Sequence, residues 1–287
     1  MTPKACDLHT HSCYSDGTYT PAELILAAER LGLSAIALCD HNTVAGLPEF
    51  LISAEGHAVE AIAGVELSTD LAHDGIVSEL HILALYLPKS AYGGVISLVE
   101  DMKKKKVESN LLLVSNLQKA GYEIDYGEIV TRTKGIPNRA HIAKVLCEKG
   151  YVASEREAFA TLLRKGGGFY IEPSRPDVFF VLDFIRASGA VSVLAHPFLN
   201  LDENALRSFL PKAKAHGLVA METRYPLYDE KTTALAAKIA EENSLLPSGG
   251  SDFHGENKPD LALGKGRGEL FVPVSFAKTL RSRANLG

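Results

Sequence analysis

Ala5-Cys6-Asp7-Leu8-His9-Thr10-His11 and, further along, Ala35-Ile36-Ala37-Leu38-Cys39-Asp40-His41 decide the fold. Each is a short apolar run that ends in ionisable residues. Between them Thr20 and Pro21 supply the N-cap and first-turn proline of a helix, whose Leu24, Ala27, Ala28 and Leu31 share one face before Gly32 closes it. Strand, helix and strand in that order make a βαβ unit and a largely parallel sheet. Ala58 to Val65 and Leu80 to Leu87 read as two further strands, each ending in or beginning with an ionisable residue, so polar groups gather at strand ends.

From Ala91 the pattern is helical only, with Val95, Leu98, Met102, Val107, Leu111, Val114 and Leu117 recurring at helical spacing up to Gly121. Helical patterns continue over Pro137 to Lys149 and Ser154 to Arg164, until Gly166-Gly167-Gly168 breaks them ahead of an expected aromatic-rich strand, Phe169 to Ile171. Alternation then resumes: a helix over Asp177 to Ser188, a strand over Ala190 to Ala195, a helix over Glu203 to His216, a strand over Leu218 to Glu222, and a last helix and strand leading to Ser251-Asp252-Phe253-His254. The expected organisation is an α/β barrel domain built from residues 1–90 and 176–287, with residues 91–175 as a helical insertion covering the active site.

Composition narrows the function. With 287 residues, 46% hydrophobic and 23% charged, the chain has the make-up of an ordinary globular protein. A net charge of −5 gives no general attraction to polyanions, so any nucleic-acid contact has to be local. The four cysteines, Cys6, Cys13, Cys39 and Cys147, show no disulfide framework, and there is no basic leader and no apolar run of the roughly 20 residues that span a membrane. A cytoplasmic protein without a membrane partner or an obligate protein partner is expected.

The chemistry begins at His9-Thr10-His11. Alternation along an extended chain turns His9 and His11 to the same side, where two imidazoles can bind one metal. An isolated pair of this kind decides little. What gives it weight is recurrence: Asp16, Asp40-His41, Glu66, His81, His196 and the pair Asp252 and His254 all fall at or beside separate strand ends. Strand ends of an α/β sheet or barrel converge on a common site. Neutral imidazole and carboxylate suit Zn, Mn or Fe, and a carboxylate can bridge two cations.

The ordered series His9-x-His11, Asp40-His41, Glu66, Ala195-His196-Pro197 and Ser251-Asp252-x-His254 resembles the PHP (polymerase and histidinol phosphatase) family, over nearly the whole chain. The helical segment between His81 and His196 is similar to its subgroup of small nucleotide phosphoesterases: nucleoside 3′,5′-bisphosphate phosphatases and 5′-3′ exoribonucleases. The resemblance implies a distorted seven-stranded (β/α) barrel of TIM-like form, with two or three divalent cations (Mn, Zn or Fe). It implies that His9, His11, Glu66 and Asp252 hold the first metal and that Glu66 bridges to a second held by His81, with Asp16, His41, His196 and His254 completing the set. Asp16 stands where other members carry histidine.

Such a centre activates water against phosphorus, with Asp252, His254 and Asp40 as candidate catalytic groups for proton handling. Arg139, at the start of an insertion helix, can offer a planar fork to phosphate, with His141 beside it and Lys165 as a further cation. The expected partner is a small phosphorylated substrate, a nucleotide or the end of a short RNA or DNA. The alternatives are histidinol phosphate or another small phosphomonoester, a cyclic phosphodiester, and, in a different class, a non-catalytic metal-binding module. Lys103 to Lys106 read as a solvated helix face and Cys39 as a core thiol.

Overall fold

In the computed structural model, β1 (Cys6–Thr10) is followed by α1 (Pro21–Arg30), β2 (Ala35–Leu38), α2 (Leu47–Ser53) and β3 (Glu60–His73). The structure describes residues 4–73, 76–133 and 137–284. Thr20 caps α1 as expected: its side chain accepts from the Glu23 amide while the Glu23 carboxylate accepts from the Thr20 amide. β1, β2 and β3 pair in parallel.

The sheet then departs from the expected parallel pattern. β3 pairs with β4 (Ile76–Leu85) antiparallel, from Gly64 opposite Leu85 to His73 opposite Ile76, and β4 pairs antiparallel with β5 (Val191–Leu194). Only residues 74 and 75 separate β3 from β4, which is too short for a crossover helix and suited to a hairpin. Both strands run well beyond the apolar cores that make them visible in the sequence, through Ser68, Thr69 and Asp70 on one side and Ser78 and Glu79 on the other. The parallel order resumes with β6 (Ala220–Arg224) and β7 (Leu246–Gly249), giving one seven-stranded sheet in chain order.

The chain after β7 returns to β1 and nearly closes the barrel. The Asp252 amide donates to the His9 carbonyl at 2.9 Å and the His11 amide to the Phe253 carbonyl at 2.9 Å. The buried Asp7 carboxylate ties the same seam, accepting from the Ser251 amide at 2.8 Å, from the Ser251 hydroxyl and from the Gly264 amide at 2.8 Å. Inside lie Cys6, Leu8, Ala35, Ala37, Cys39, Ile62, Leu83, Leu85, Val191 and Val193, all buried. Alternate positions of each strand feed this core, as period-two geometry requires.

The chain divides into two compact units, residues 1–96 with 176–287 and residues 97–175. Residues 91–96, expected with the helical segment, fall in the barrel unit. The second unit contains most of α3 (Tyr92–Lys119), followed by α4 (Tyr126–Thr131), α5 (Arg139–Glu148) and α6 (Glu155–Ala160). Its own core gathers Leu113, Leu117, Ile129, Ile142, Leu146 and Leu163. The expected strand at Phe169 to Ile171 is absent: these residues lie in an extended connection whose Phe169 and Ile171 carbonyls accept from Asn116 and Ser109 side chains of α3. The barrel unit is completed by α7 (Val178–Ser188), α8 (Glu203–Ala215), α9 (Glu230–Glu242) and α10 (Val274–Arg281).

The seam also explains Gly250, where an added Cβ would lie 2.4 Å from both the His9 Cβ and the His9 amide nitrogen. Gly250→Ala is expected to destabilise the protein by roughly 2–4 kcal/mol in denaturant unfolding, from overpacking against rigid backbone. Gly56→Ala, at φ +83 with nothing within 4 Å, should cost only about 1 kcal/mol. Equal losses at the two positions would contradict this close approach.

Candidate metal centre

The apolar strands turn into a polar site at one end of the barrel interior. β3 does so by continuing its inward parity, Ile62 to Glu66, and β4 does so in reverse, from Leu85 and Leu83 back to His81. The antiparallel direction of β4 is why His81 precedes the inward apolar residues of its strand while Glu66 follows that of β3. In β1 the register slips between Asp7 and Thr10, so three steps on β1 match two on β2. That bulge changes the parity: Cys6 and Leu8 face the core, yet His9 and His11 both reach Glu66. His196 and Asp252 sit just beyond β5 and β7 with φ of 28° and 51°, a region non-glycine residues seldom occupy and one that clusters at functional sites.

Glu66 is the hub. Its Oε2 lies 3.2 Å from His9 Nε2, 3.3 Å from His11 Nε2 and 3.0 Å from His41 Nδ1, and its Oε1 lies 2.8 Å from His81 Nδ1 and 3.1 Å from His196 Nε2. Asp252 Oδ1 is 3.2 Å from His11 Nε2 and 3.7 Å from His9 Nε2. Asp16 Oδ1 is 3.2 Å from His254 Nε2, and its Oδ2 is 3.7 Å from His41 Nε2. Four groups thus bring ligand atoms within 4.8 Å of one another: His9, His11 and Asp252; His9, Glu66 and His196; His41, Glu66 and His81; and His11, Asp16, His41 and His254. All nine expected ligands are in them. The fourth group places Asp16 with His11, His41 and His254, a closer partition than the sequence supports.

These residues fit divalent cations. His9 Nε2, both nitrogens of His11, Glu66 Oε2, His196 Nδ1 and His254 Nε2 are buried and make no hydrogen bond, although oxygens lie 3.2 to 3.3 Å from several of them. Close distances without hydrogen-bond alignment mean that lone pairs converge on shared points instead of on each other's protons. An unsatisfied buried polar atom costs about 1–3 kcal/mol, so six in one place call for an electron-pair acceptor. The tautomers agree. His9 Nδ1 faces Glu222 Oε1 at 3.0 Å and His254 Nδ1 faces the Asp252 carbonyl at 2.7 Å, which puts a proton on each Nδ1 and leaves Nε2 as the donor atom.

Without cations, protons carry the compensating charge. Burial opposes charge on His9 and His81, but the Glu66 carboxylate outweighs it, helped by Glu222 at His9 and Glu79 at His81; His9 is raised well above its ordinary value and His81 to about 10. His11 goes the other way: burial pushes it down to about 3. Burial alone would raise Glu66, and the surrounding His9, His41 and His81 instead hold it well below the usual carboxylate range.

Several side chains fall elsewhere. Asp40, expected among the catalytic groups, is outside the four groups: its carboxylate accepts from the Ser12 amide at 2.7 Å, the Ser12 hydroxyl at 2.6 Å and the Ser15 hydroxyl at 2.7 Å, and so fixes the turn that carries Asp16. Arg139, His141 and Lys165 belong to the helical unit. The Arg139 guanidinium rests 4.4 Å from the Tyr170 ring centroid and donates to the Leu163 carbonyl, His141 takes part in the Asn138 cap of α5, and Lys165 pairs with Glu172 at 2.6 Å. Three further side chains support these ligands. Glu222 accepts from His9 and, at 2.6 Å, from the His196 amide, while Tyr225 and Lys258 donate to Asp252 Oδ2 at 2.9 and 2.8 Å.

A family model described as the PHP domain matches residues 7–175. This chain belongs to the PHP domain family. As a PHP protein it is 32% identical over 252 residues to a 5′-3′ exoribonuclease of Haemophilus influenzae, over 88% of this chain and 90% of that one. It is 27% identical over 271 residues to a 3′,5′-nucleoside bisphosphate phosphatase of Chromobacterium violaceum, over 89% and 90% of the two chains. A solved structure, described as a candidate metal-dependent phosphoesterase of Bifidobacterium adolescentis, matches with a TM-score of 0.72 and 26% identity over 98% of each chain.

Because the raised histidines hold protons near neutral pH in the metal-free PHP site, manganese uptake must expel them. The expected result is net proton release, read by calorimetry in buffers of different ionisation heat, and affinity that strengthens as pH rises. Uptake without proton release would contradict the described charge state. Glu222→Ala should weaken metal affinity by about 10–100-fold through the loss of the His9 partner.

Proposed function

We propose that this PHP protein hydrolyses phosphate esters of nucleotides, with two or three divalent cations held by His9, His11, Asp16, His41, Glu66, His81, His196, Asp252 and His254. The observation that carries this reading is the convergence of four ligand groups on one end of the barrel, three of them meeting at Glu66 or at His9 beside it. Bound cations supply Lewis acidity toward the phosphoryl oxygens and a hydroxide at neutral pH.

The protein's own groups prepare that chemistry. Glu222 fixes the His9 ring, and Glu66 offers each of its oxygens to a different set of imidazoles, as a bridging ligand must. Burial opposes charge on Asp252, but the His11 contact and the neighbouring His9 outweigh it and hold its carboxyl well below the usual carboxylate range, so it stays ionised and a weak base. We assign proton transfer to His254 where no cation takes its Nε2: its Nδ1 is committed to the Asp252 carbonyl, and its Nε2 lies 3.2 Å from Asp16 Oδ1. Asp40 acts by holding Ser12 and Ser15, hence Asp16, in place.

For the substrate we favour the 3′-phosphate of nucleoside 3′,5′-bisphosphates and the 5′ ends of short oligonucleotides. The support is the likeness to an exoribonuclease and a bisphosphate phosphatase over nine-tenths of their lengths. Arg139, which uses one donor on Leu163 and keeps others of its five, is assigned a phosphate contact, with His141 beside it on the same helix.

A phosphate-release screen over nucleoside bisphosphates, short RNA and DNA, cyclic phosphodiesters and histidinol phosphate, with Mn, Zn and Fe compared, should give the highest kcat/KM on the nucleotide substrates. Chelation should abolish turnover, and Asp252→Asn and His9→Ala should lower it by at least about 100-fold. Rapid turnover of histidinol phosphate with nucleotides ignored would overturn the substrate, and full activity in both variants would overturn the centre.

A further inference from the structure

Asp252 faces the metal-ligand groups with one oxygen only. Oδ1 lies 3.2 Å from His11 Nε2, whereas Oδ2 accepts from Tyr225 Oη at 2.9 Å and from Lys258 Nζ at 2.8 Å. The two donors on Oδ2 differ in burial. Tyr225 is 4% exposed, and the Lys258 side chain is 39% exposed. If Tyr225 left, a buried phenol would lose its partner. If Lys258 left, Asp252 would keep Tyr225 and the ammonium would stay solvated. Only the lysine can change partner at small cost.

Its backbone is anchored where such an exchange is useful. The turn Gly255–Asn257 is tied to the loop carrying Asp16: the Glu256 amide donates to Thr18 Oγ1 at 3.0 Å, and the Asn257 side-chain amide donates to the Asp16 carbonyl at 2.8 Å. The root of Lys258 is therefore fixed beside Asp16 and His254, and its four-carbon stem is long enough for the ammonium to change partner without moving that root. Lys258 thus brings a cation directly to a member of the four groups. A phosphoryl group brings negative charge to a site already holding Glu66, Asp252, Asp16 and Glu222, and a mobile ammonium with three donors offsets it.

We propose that Lys258 is a substrate-binding residue: on binding, its ammonium leaves Asp252 Oδ2 for a non-bridging phosphoryl oxygen, and Tyr225 alone keeps Asp252 in position. This rests on the phosphoesterase reading above. Titration of inorganic phosphate into the manganese-loaded protein, with manganese content measured in parallel, tests it. Lys258→Ala should weaken phosphate binding about tenfold at unchanged manganese content. Lys258→Arg should restore most of that affinity. Tyr225→Phe should instead weaken manganese affinity about tenfold. Phosphate binding that is the same in Lys258→Ala and the wild type would overturn the proposal. So would a loss of manganese in Lys258→Ala like that in Tyr225→Phe, since the lysine would then be positioning Asp252. The two readings fail separately: Lys258-dependent phosphate binding without turnover of any ester removes the phosphoesterase reading and leaves this one, while turnover with Lys258-independent phosphate binding does the reverse.

Discussion

The site is organised around a buried carboxylate that faces five imidazoles. Glu66 is fully buried, and His9, His11, His41, His81 and His196 all bring a ring nitrogen within 3.3 Å of one of its two oxygens. A charge in that position is expensive unless it is compensated, and five neutral rings whose lone pairs face it would worsen the cost. Either protons or cations must sit between them. The fold exists to enforce this meeting: residues from β1, β2, β3, β4 and β5, far apart in the chain, are delivered to one carboxylate by the ends of neighbouring strands.

Irregular backbone performs the final placement. With Cys6 and Leu8 facing the core, strict alternation would turn His9 and His11 away from the site, and the register slip between Asp7 and Thr10 brings them in. Elsewhere the placement relies on left-handed backbone at His196 and Asp252. The seam between the chain after β7 and β1 fixes Asp252 against His9 through one backbone hydrogen bond, and Asp7 fixes Ser251 through its buried carboxylate. Stability and site geometry therefore share the same contacts along this seam, which is why a single methyl group at Gly250 would disturb both.

Much of this was legible in the sequence because the ligands are chemically conspicuous. His9, His11, Asp16, His41, Glu66, His81, His196, Asp252 and His254 are ionisable residues beside apolar runs, and the structure brings all nine together. The antiparallel direction of β4 was not legible, because apolar runs mark the buried halves of β3 and β4 and say nothing of the direction in which a strand runs. The Phe169 to Ile171 strand failed for a related reason: aromatic residues satisfy strand propensity, but here the Phe169 and Ile171 carbonyls are taken by side chains of a helix. Asp40 shows the limit of reading function from residue type. It sits beside a ligand in the chain, yet its carboxylate is turned to Ser12 and Ser15 and is buried at 2% exposure. The supporting contacts of Glu222, Tyr225 and Lys258 were not legible because residue type does not name a partner: Glu222 and His9 are 213 positions apart, and Lys258 and Asp252 only six.

The most direct test of the central claim is anomalous diffraction from manganese- or zinc-loaded crystals, which locates cations without reference to any assay. At least two peaks should lie within coordination distance, about 2.0–2.2 Å, of separate oxygens of Glu66 or of the histidine nitrogens around it. Peaks confined to the protein surface, with the Glu66 carboxylate hydrogen-bonded to protonated imidazoles, would contradict the account.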